Sequence, residues 1–268
     1  MPLKSSGNKI TKIKVNKKDI VISFGKNESI RVVKEVMANF YLYVGKELSK
    51  KEINEIVEFS ENSIYLRYAL SLLEKSHYSE WKMREKLYAK GANKSATDRI
   101  IKLLKHNDLI DDKAYALDLY YYLEEKNYGK NKIINYIKDK GIFDESMKQL
   151  RFSDSNEKKK ALINLPKLEK KYSKYSYQQK KEHIYSALIG LGFESDIALS
   201  TLNKVREPKE KEEKAKLDRD FQNCVNKMKR KYEGRELKEK VYASLRNKGY
   251  RSNDILKKWE DYYAENDF

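Results

Sequence analysis

A glycine that returns about every fifty residues constrains this chain more than any other feature. Gly91, Gly141, Gly192 and Gly249 are 50, 51 and 57 residues apart. Four residues before each stands Leu87, Ile137, Leu188 or Leu245, and eight before stands Met83, Ile133, Ile184 or Val241. Apolar residues at these offsets share one helix face, and a glycine is the residue best suited to end that helix in a left-handed conformation. The register holds at three positions in four copies, which makes it a repeat.

The first copy shows the unit most clearly. Ser79 is placed to N-cap a helix whose apolar face includes Met83 and Leu87, and Gly91 is placed to stop it. Ile100-Ile101-Lys102-Leu103-Leu104 belongs to a third helix, which Asn93 or Ser95 opens. Asp144, Ser195 and Ser252, each three residues after its glycine, are the corresponding N-caps in the later copies. Asp111 caps the helix through Ala114 and Tyr115. Short helices in tandem bury their apolar faces on their neighbours. The expected fold is therefore all-α, with tandem three-helix repeats forming an elongated, curved solenoid.

The division that follows places an N-terminal cap at 1–48 and a capping helix plus repeat 1 at 49–107. Repeat 2 spans 108–151, repeat 3 spans 157–205 and repeat 4 spans 206–268. In the cap, Ile10 to Val15 alternates, Ile20 to Phe24 is rich in β-branched residues, and Gly25-Lys26-Asn27-Glu28 reads as a turn before Ser29-Ile30-Arg31-Val32. This predicts a small antiparallel β element, then a helix from Val32 or Val33 to Tyr43 closed by Gly45. Ser49 and Glu52 form a capping box for a helix through Ile53, Ile56 and Val57. Arg151 to Asn156 reads as a linker, and Pro208 as a first helical residue.

Composition bears on function. Lys and Arg outnumber Asp and Glu 58 to 41, a net charge of +17 that favours polyanionic partners. The single Cys224 excludes an intrachain disulfide and fits a reducing cytoplasm. No apolar run approaches membrane-spanning length, and Met1 to Gly7 is not a signal peptide. His77, His106 and His183 have no metal-ligand spacing, and no glycine-rich phosphate loop is present. Adjacent Asp111 and Asp112 point about 100° apart on a helix, so capping suits them better than a metal. The chain reads as a binding protein rather than an enzyme, with no cofactor.

The binding signal lies on the second helices. Lys82, Lys86 and Lys90 are four apart on one face; Lys132, Tyr136 and Lys140 match them in copy two, and Lys240, Ser244 and Lys248 in copy four. Copy three breaks this stripe with His183, Ala187 and Leu191. Lysines returning at the repeat period suit the regular phosphates of a nucleoprotein filament, while solubilising lysine is the plainer reading of any one of them. Tyr120, Tyr121 and Tyr122 include a candidate for base stacking, with core packing expected for at least two.

The stretch from Tyr68 to Ile142 also resembles the RecX family of RecA regulators. The residues that carry the resemblance are Ser79, Lys86-Leu87, Lys90-Gly91, Ile110-Asp111-Asp112, Tyr115-Ala116, Tyr128-Gly129 and Lys140-Gly141-Ile142. Trp81-Lys82-Met83 and Tyr115 depart from the family's usual residues. The resemblance implies a cytoplasmic protein, active as a monomer, that binds the RecA filament on single-stranded DNA. There it would restrain strand exchange, ATP turnover and co-protease activity. The residues alone leave two other readings open: direct binding of DNA, single- or double-stranded, or of RNA, and a protein-only helical scaffold.

Overall fold

The computed structural model describes residues 8–25 and 28–265; Met1 to Gly7, Lys26 and Asn27 of the expected turn, and the last three residues lie outside that description. Three strands, β1 (Ile10–Val15), β2 (Asp19–Phe24) and β3 (Glu28–Val33), form an antiparallel meander. Alternation decides which face is inside. Ile20, Ile22 and Phe24 of β2 are buried, while Lys12, Lys14 and Arg31 face water. The helix expected to follow shrinks to α1 (Val36–Asn39). β3 keeps Val32 and Val33, and Tyr41 turns left-handed at φ 48°. The chain then returns to β1 through Gly45 N–H to Ile10 C=O (2.8 Å) and Ile10 N–H to Lys46 C=O (2.9 Å).

The next helix corrects the expected division. α2 (Lys50–Leu73) is one helix of 24 residues, so the capping helix and the first helix of repeat 1 are continuous. Ser60 to Ser63 is polar, yet it contains no Gly or Pro to break the helix. Ser60 Oγ accepts from Val33 N–H, and Ser63 Oγ donates back to Phe59 C=O. Ile53 and Ile56 pack on the sheet, whereas Ala69 packs with Met83, Leu87 and Ile101. The Ser49–Glu52 capping box forms as expected.

The remaining helices follow in threes after α2. α3 (Glu80–Ala89) and α4 (Lys94–His106) complete the first group. α5 (Asp112–Glu125), α6 (Lys130–Asp139) and α7 (Asp144–Met147) form the second. α8 (Asp154–Lys171), α9 (Tyr177–Gly190) and α10 (Ser195–Leu202) form the third, and α11 (Glu210–Met228), α12 (Gly234–Asn247) and α13 (Ser252–Glu265) the fourth. No strand lies within these groups among the described residues. Two compact units emerge: residues to Leu117 with Lys138–Lys148, and Asp118–Ile137 with Gln149 onward.

All four repeat glycines have positive φ: 99°, 79°, 91° and 83°. Each follows the second helix of its group. The next residue (Ala92, Ile142, Phe193 or Tyr250) folds back and is buried. The eight register residues at −4 and −8 are fully buried.

Local start signals fare less well. Asn93 caps α4 through Ala96 N–H and Asp111 caps α5 through Lys113 and Ala114 N–H. In contrast, Asp144, Ser195 and Ser252 are first helical residues rather than N-caps. The Ser195 and Ser252 hydroxyls instead meet Tyr185 and Tyr242 of the preceding helices. Pro208 precedes α11, and α8 begins inside the expected linker because Ser153 Oγ accepts from Asn156 N–H.

Candidate nucleoprotein interface

The second helices carry the lysines, so what positions those helices positions the candidate surface. Each helix start leaves amides without partners. In this chain the following repeat supplies them. Ser79 Oγ accepts from Lys82 N–H and donates to Lys140 C=O at 2.6 Å, one residue before Gly141. Asp112 Oδ1 of α5 accepts from Glu80 N–H at 2.8 Å. The start of α3 thus rests on the end of α6, capped by a carboxylate from α5.

The same plan recurs twice. At the start of α6, Gly129 N–H donates to Leu191 C=O (2.8 Å) and Asn131 N–H to Gly192 C=O (3.0 Å), while Glu157 Oε2 of α8 accepts from Lys130 N–H (2.9 Å). At the start of α9, Ser176 Oγ donates to Lys248 C=O, and Glu213 Oε1 of α11 accepts from Tyr177 N–H (2.7 Å). Glu157 and Glu213 each have a lysine three residues on. Lys160 is buried between Glu157 and Glu124, both at 2.5 Å, and Lys216 lies 3.7 Å from Glu213. Sequence reading missed these carboxylates; an acid followed three residues later by lysine near the start of α8 and α11 was the available signal.

A glycine at each contact lets the backbones meet. A Cβ on Gly192 would lie 2.3 Å from Lys132 N, and one on Gly129 would lie 2.3 Å from Gly192 C. At Gly141 it would meet Trp81 and Ser79 side chains, and at Gly249 the Gln178 side chain. Two of the crossings therefore tolerate side chains on one partner, and the middle one tolerates none.

The lysines fall into distinct settings. Lys86, Lys90 and Lys240 are exposed. Lys82 is 3.1 Å from Glu85 and sits 4.3 Å above the Trp81 ring. Lys132 lies 4.1 Å above Tyr128. Lys140 is half-buried, and Lys248 is 3.1 Å from Asp220. The first junction brings Lys82 beside Gly141 and hence near Lys140. Lys132 and Lys248 stand at the second and third junctions, and Lys86, Lys90 and Lys240 stand outside them. In copy three His183 is held between Tyr172 and Tyr175, at ring distances of 5.1 and 4.4 Å.

The tyrosines overturn an expectation. Of the three only Tyr120 is partly buried, its hydroxyl 2.6 Å from Arg151 C=O and its ring against Phe152, while Tyr121 touches the Tyr120 ring and Tyr122 lies under Lys126. Tyr121 and Tyr122 remain 61% and 50% exposed. Three consecutive helical residues sweep about 200°, so one helix cannot turn all three inward.

Two junction acids feel opposite fields. Burial raises the Asp112 carboxyl above its ordinary range, outweighing the Glu80 amide, and the Glu80 carboxylate pushes it the same way. Burial also pushes Asp220 up, but hydrogen bonds from Lys248 and Arg219 win and hold it below the usual range. No cluster of three or more potential metal ligands occurs among the described residues, and no described helix is long and apolar enough to cross a membrane.

These features define a basic, predominantly helical repeat protein with a small N-terminal sheet, its repeats joined through one recurring junction. No family model matches the chain. Regulatory protein RecX of Streptococcus pyogenes serotype M4 is 28% identical over 261 residues, covering 95% of this chain and 99% of that protein. Regulatory protein RecX of Streptococcus thermophilus strain CNRZ 1066 is 28% identical over 264 residues, covering 95% and 100%. A crystal structure of regulatory protein RecX matches 73% of this chain and 98% of its own with a TM-score of 0.56 at 23% identity, which supports the helical fold. Along 95% of its length the chain is thus similar to RecX regulatory proteins, a likeness that supports a RecX family regulatory protein.

Proposed function

We propose that this chain regulates the RecA recombinase in the cytoplasm, binding as a monomer to RecA filaments on single-stranded DNA and inhibiting strand exchange, ATP turnover and co-protease activity. The observation that carries this reading is the likeness to RecX regulatory proteins along 95% of the chain. Two physical features support it. A net charge of +17 suits a partner rich in phosphate. The recurring junction supports a binding surface repeated along the chain, as a filament of identical protomers requires. Lys82, Lys86, Lys90, Lys132, Lys140, Lys240 and Lys248 are the proposed contacts. Lys86 is exposed, Lys90 and Lys240 move off the Tyr68 and Tyr232 rings to reach phosphate, and Lys82 and Lys248 exchange Glu85 and Asp220 for it.

The test is a titration of Lys82→Glu/Lys86→Glu against RecA–single-stranded DNA filaments at two salt concentrations. Lys17→Glu/Lys18→Glu, in the exposed turn between β1 and β2, matches its charge change. The stripe variant is expected to bind far more weakly and with a flatter salt dependence. Equal losses in both variants would leave net charge as the only factor and remove the stripe.

A further inference from the structure

We propose that the loop between α1 and α2 is a docking knob for protein, through which Tyr41, Tyr43 and Val44 enter an apolar pocket on a protomer of the recombinase filament. This rests on the reading above and adds to it a contact in which phosphate plays no part. The three side chains are 81%, 63% and 60% exposed and fall within four residues of chain. Among the described residues neither phenol has a hydrogen bond or a ring contact. The core side of the same segment is already filled, by buried Leu42 and by Phe40, which meets the Phe59 ring edge-on at 5.6 Å. Packing therefore does not explain the exposed rings.

The backbone beneath them is both strained and fixed. Tyr41 takes φ 48°, a left-handed conformation that glycine adopts freely and an aromatic residue only at a cost. Such strain persists where the side chain itself is used. Leu42 N–H donates to Met37 C=O (3.1 Å), Lys46 N–H to Tyr43 C=O (3.2 Å), and Gly45 N–H to Ile10 C=O (2.8 Å), so the loop is tied to α1, to itself and to β1. Charge decides the kind of partner. From Asn39 to Gly45 there is no charged residue, although 37% of the chain is charged. Lys46, the nearest cation in sequence, turns its ammonium inward onto Phe40 C=O at 2.6 Å. A nucleic acid or an anionic membrane would find no cation within the loop. Uncharged aromatic side chains on a fixed backbone are instead the anchors of protein interfaces, and they lose little entropy on entering a pocket.

The experiment titrates the full chain against RecA filaments on single-stranded DNA at two salt concentrations, and against oligothymidylate without RecA. Tyr41→Gly/Tyr43→Ser removes both rings and, at Tyr41, the strain. It is expected to weaken filament binding at least about tenfold, and by the same factor at both salt concentrations, as the loss of uncharged anchors requires. Any binding of oligothymidylate is expected to stay within about twofold of the parent. Thermal melting is expected to match the parent, because no buried contact is lost. A variant that melts well below the parent overturns the proposal, since the rings would then be packing. So does one that loses oligothymidylate as strongly as filament, since the rings would then face bases. A parent that sediments as a dimer, with the variant a monomer, gives the loop to a second copy of this chain and overturns it too. A parent that binds no filament fails the reading above and this proposal with it, whereas a parent and variant that bind the filament equally fail this proposal alone.

Discussion

The first and third junctions use a serine and a carboxylate, while the middle one keeps the carboxylate and replaces the serine with direct backbone contact. At the first, Ser79 and Asp112 satisfy the start of α3; at the third, Ser176 and Glu213 do the same for α9. Between them, Gly129 stands where the serines do, and backbone groups bond directly across the contact. What persists is the backbone geometry: a glycine-ended helix meeting the start of the preceding repeat's second helix, with a carboxylate from the next group on the first amide. Side chains vary wherever there is room, and where there is none the residue is glycine.

The sharpest way to break this comparison is to add one methyl group at each glycine. Gly192→Ala drives a Cβ into the Lys132 backbone and strains a left-handed residue, and is expected to destabilise by about 4 kcal/mol or more. Gly249→Ala meets only the Gln178 side chain and should cost less. Gly91→Ala, whose Cβ comes no nearer than 3.8 Å to the Tyr65 hydroxyl, should show the left-handed strain alone, about 1–2 kcal/mol. Chemical denaturation orders the three; equal losses would mean that close approach is irrelevant. Next in size, Leu87→Ala and Leu245→Ala should each cost about 2–5 kcal/mol, since both are fully buried at equivalent positions. A much smaller loss at either would break the equivalence.

Smaller effects separate the capping acids. Asp112→Ala and Glu213→Ala remove the same kind of cap and should each cost about 0.5–2 kcal/mol. The pH dependence gives the signs. Asp112 has a raised folded pKa, so the folded state binds its proton more tightly than the unfolded one. The stability of the parent relative to Asp112→Asn should grow as pH falls through the folded value toward about 4. Asp220 has a depressed folded pKa. Its contribution relative to Asp220→Asn is fully present above about 4 and is lost as pH falls through the folded value. Slopes of the same sign in urea melts between pH 3 and 7 would show that these fields are misassigned.

How much of this was legible follows from which interactions are local. The glycine register could be read because a helix end and its buried face are separated by fixed offsets of four and eight residues. The junctions could not, because they join residues whose separation varies with helix length. α3 and α6 have 10 residues, but α9 and α12 have 14. Alignment on the terminal glycine therefore puts His183 opposite Lys82, although measured from the helix start Gln179 takes that place, next to Gln178 at Gly249. Asp112 was read as a cap rather than a metal ligand, but its partner, Glu80 N–H, lies 32 residues back and out of local view. The continuity of α2 had one local signal, the lack of any Gly or Pro between Lys50 and Leu73.

The most direct test adds the full chain to a RecA reaction on single-stranded DNA and follows ATP hydrolysis and strand exchange together. The account predicts that both fall as the chain is titrated in, and that Lys82→Glu/Lys86→Glu requires far more protein than Lys17→Glu/Lys18→Glu for the same effect. Unchanged hydrolysis and exchange, with the chain in excess over RecA, would contradict it.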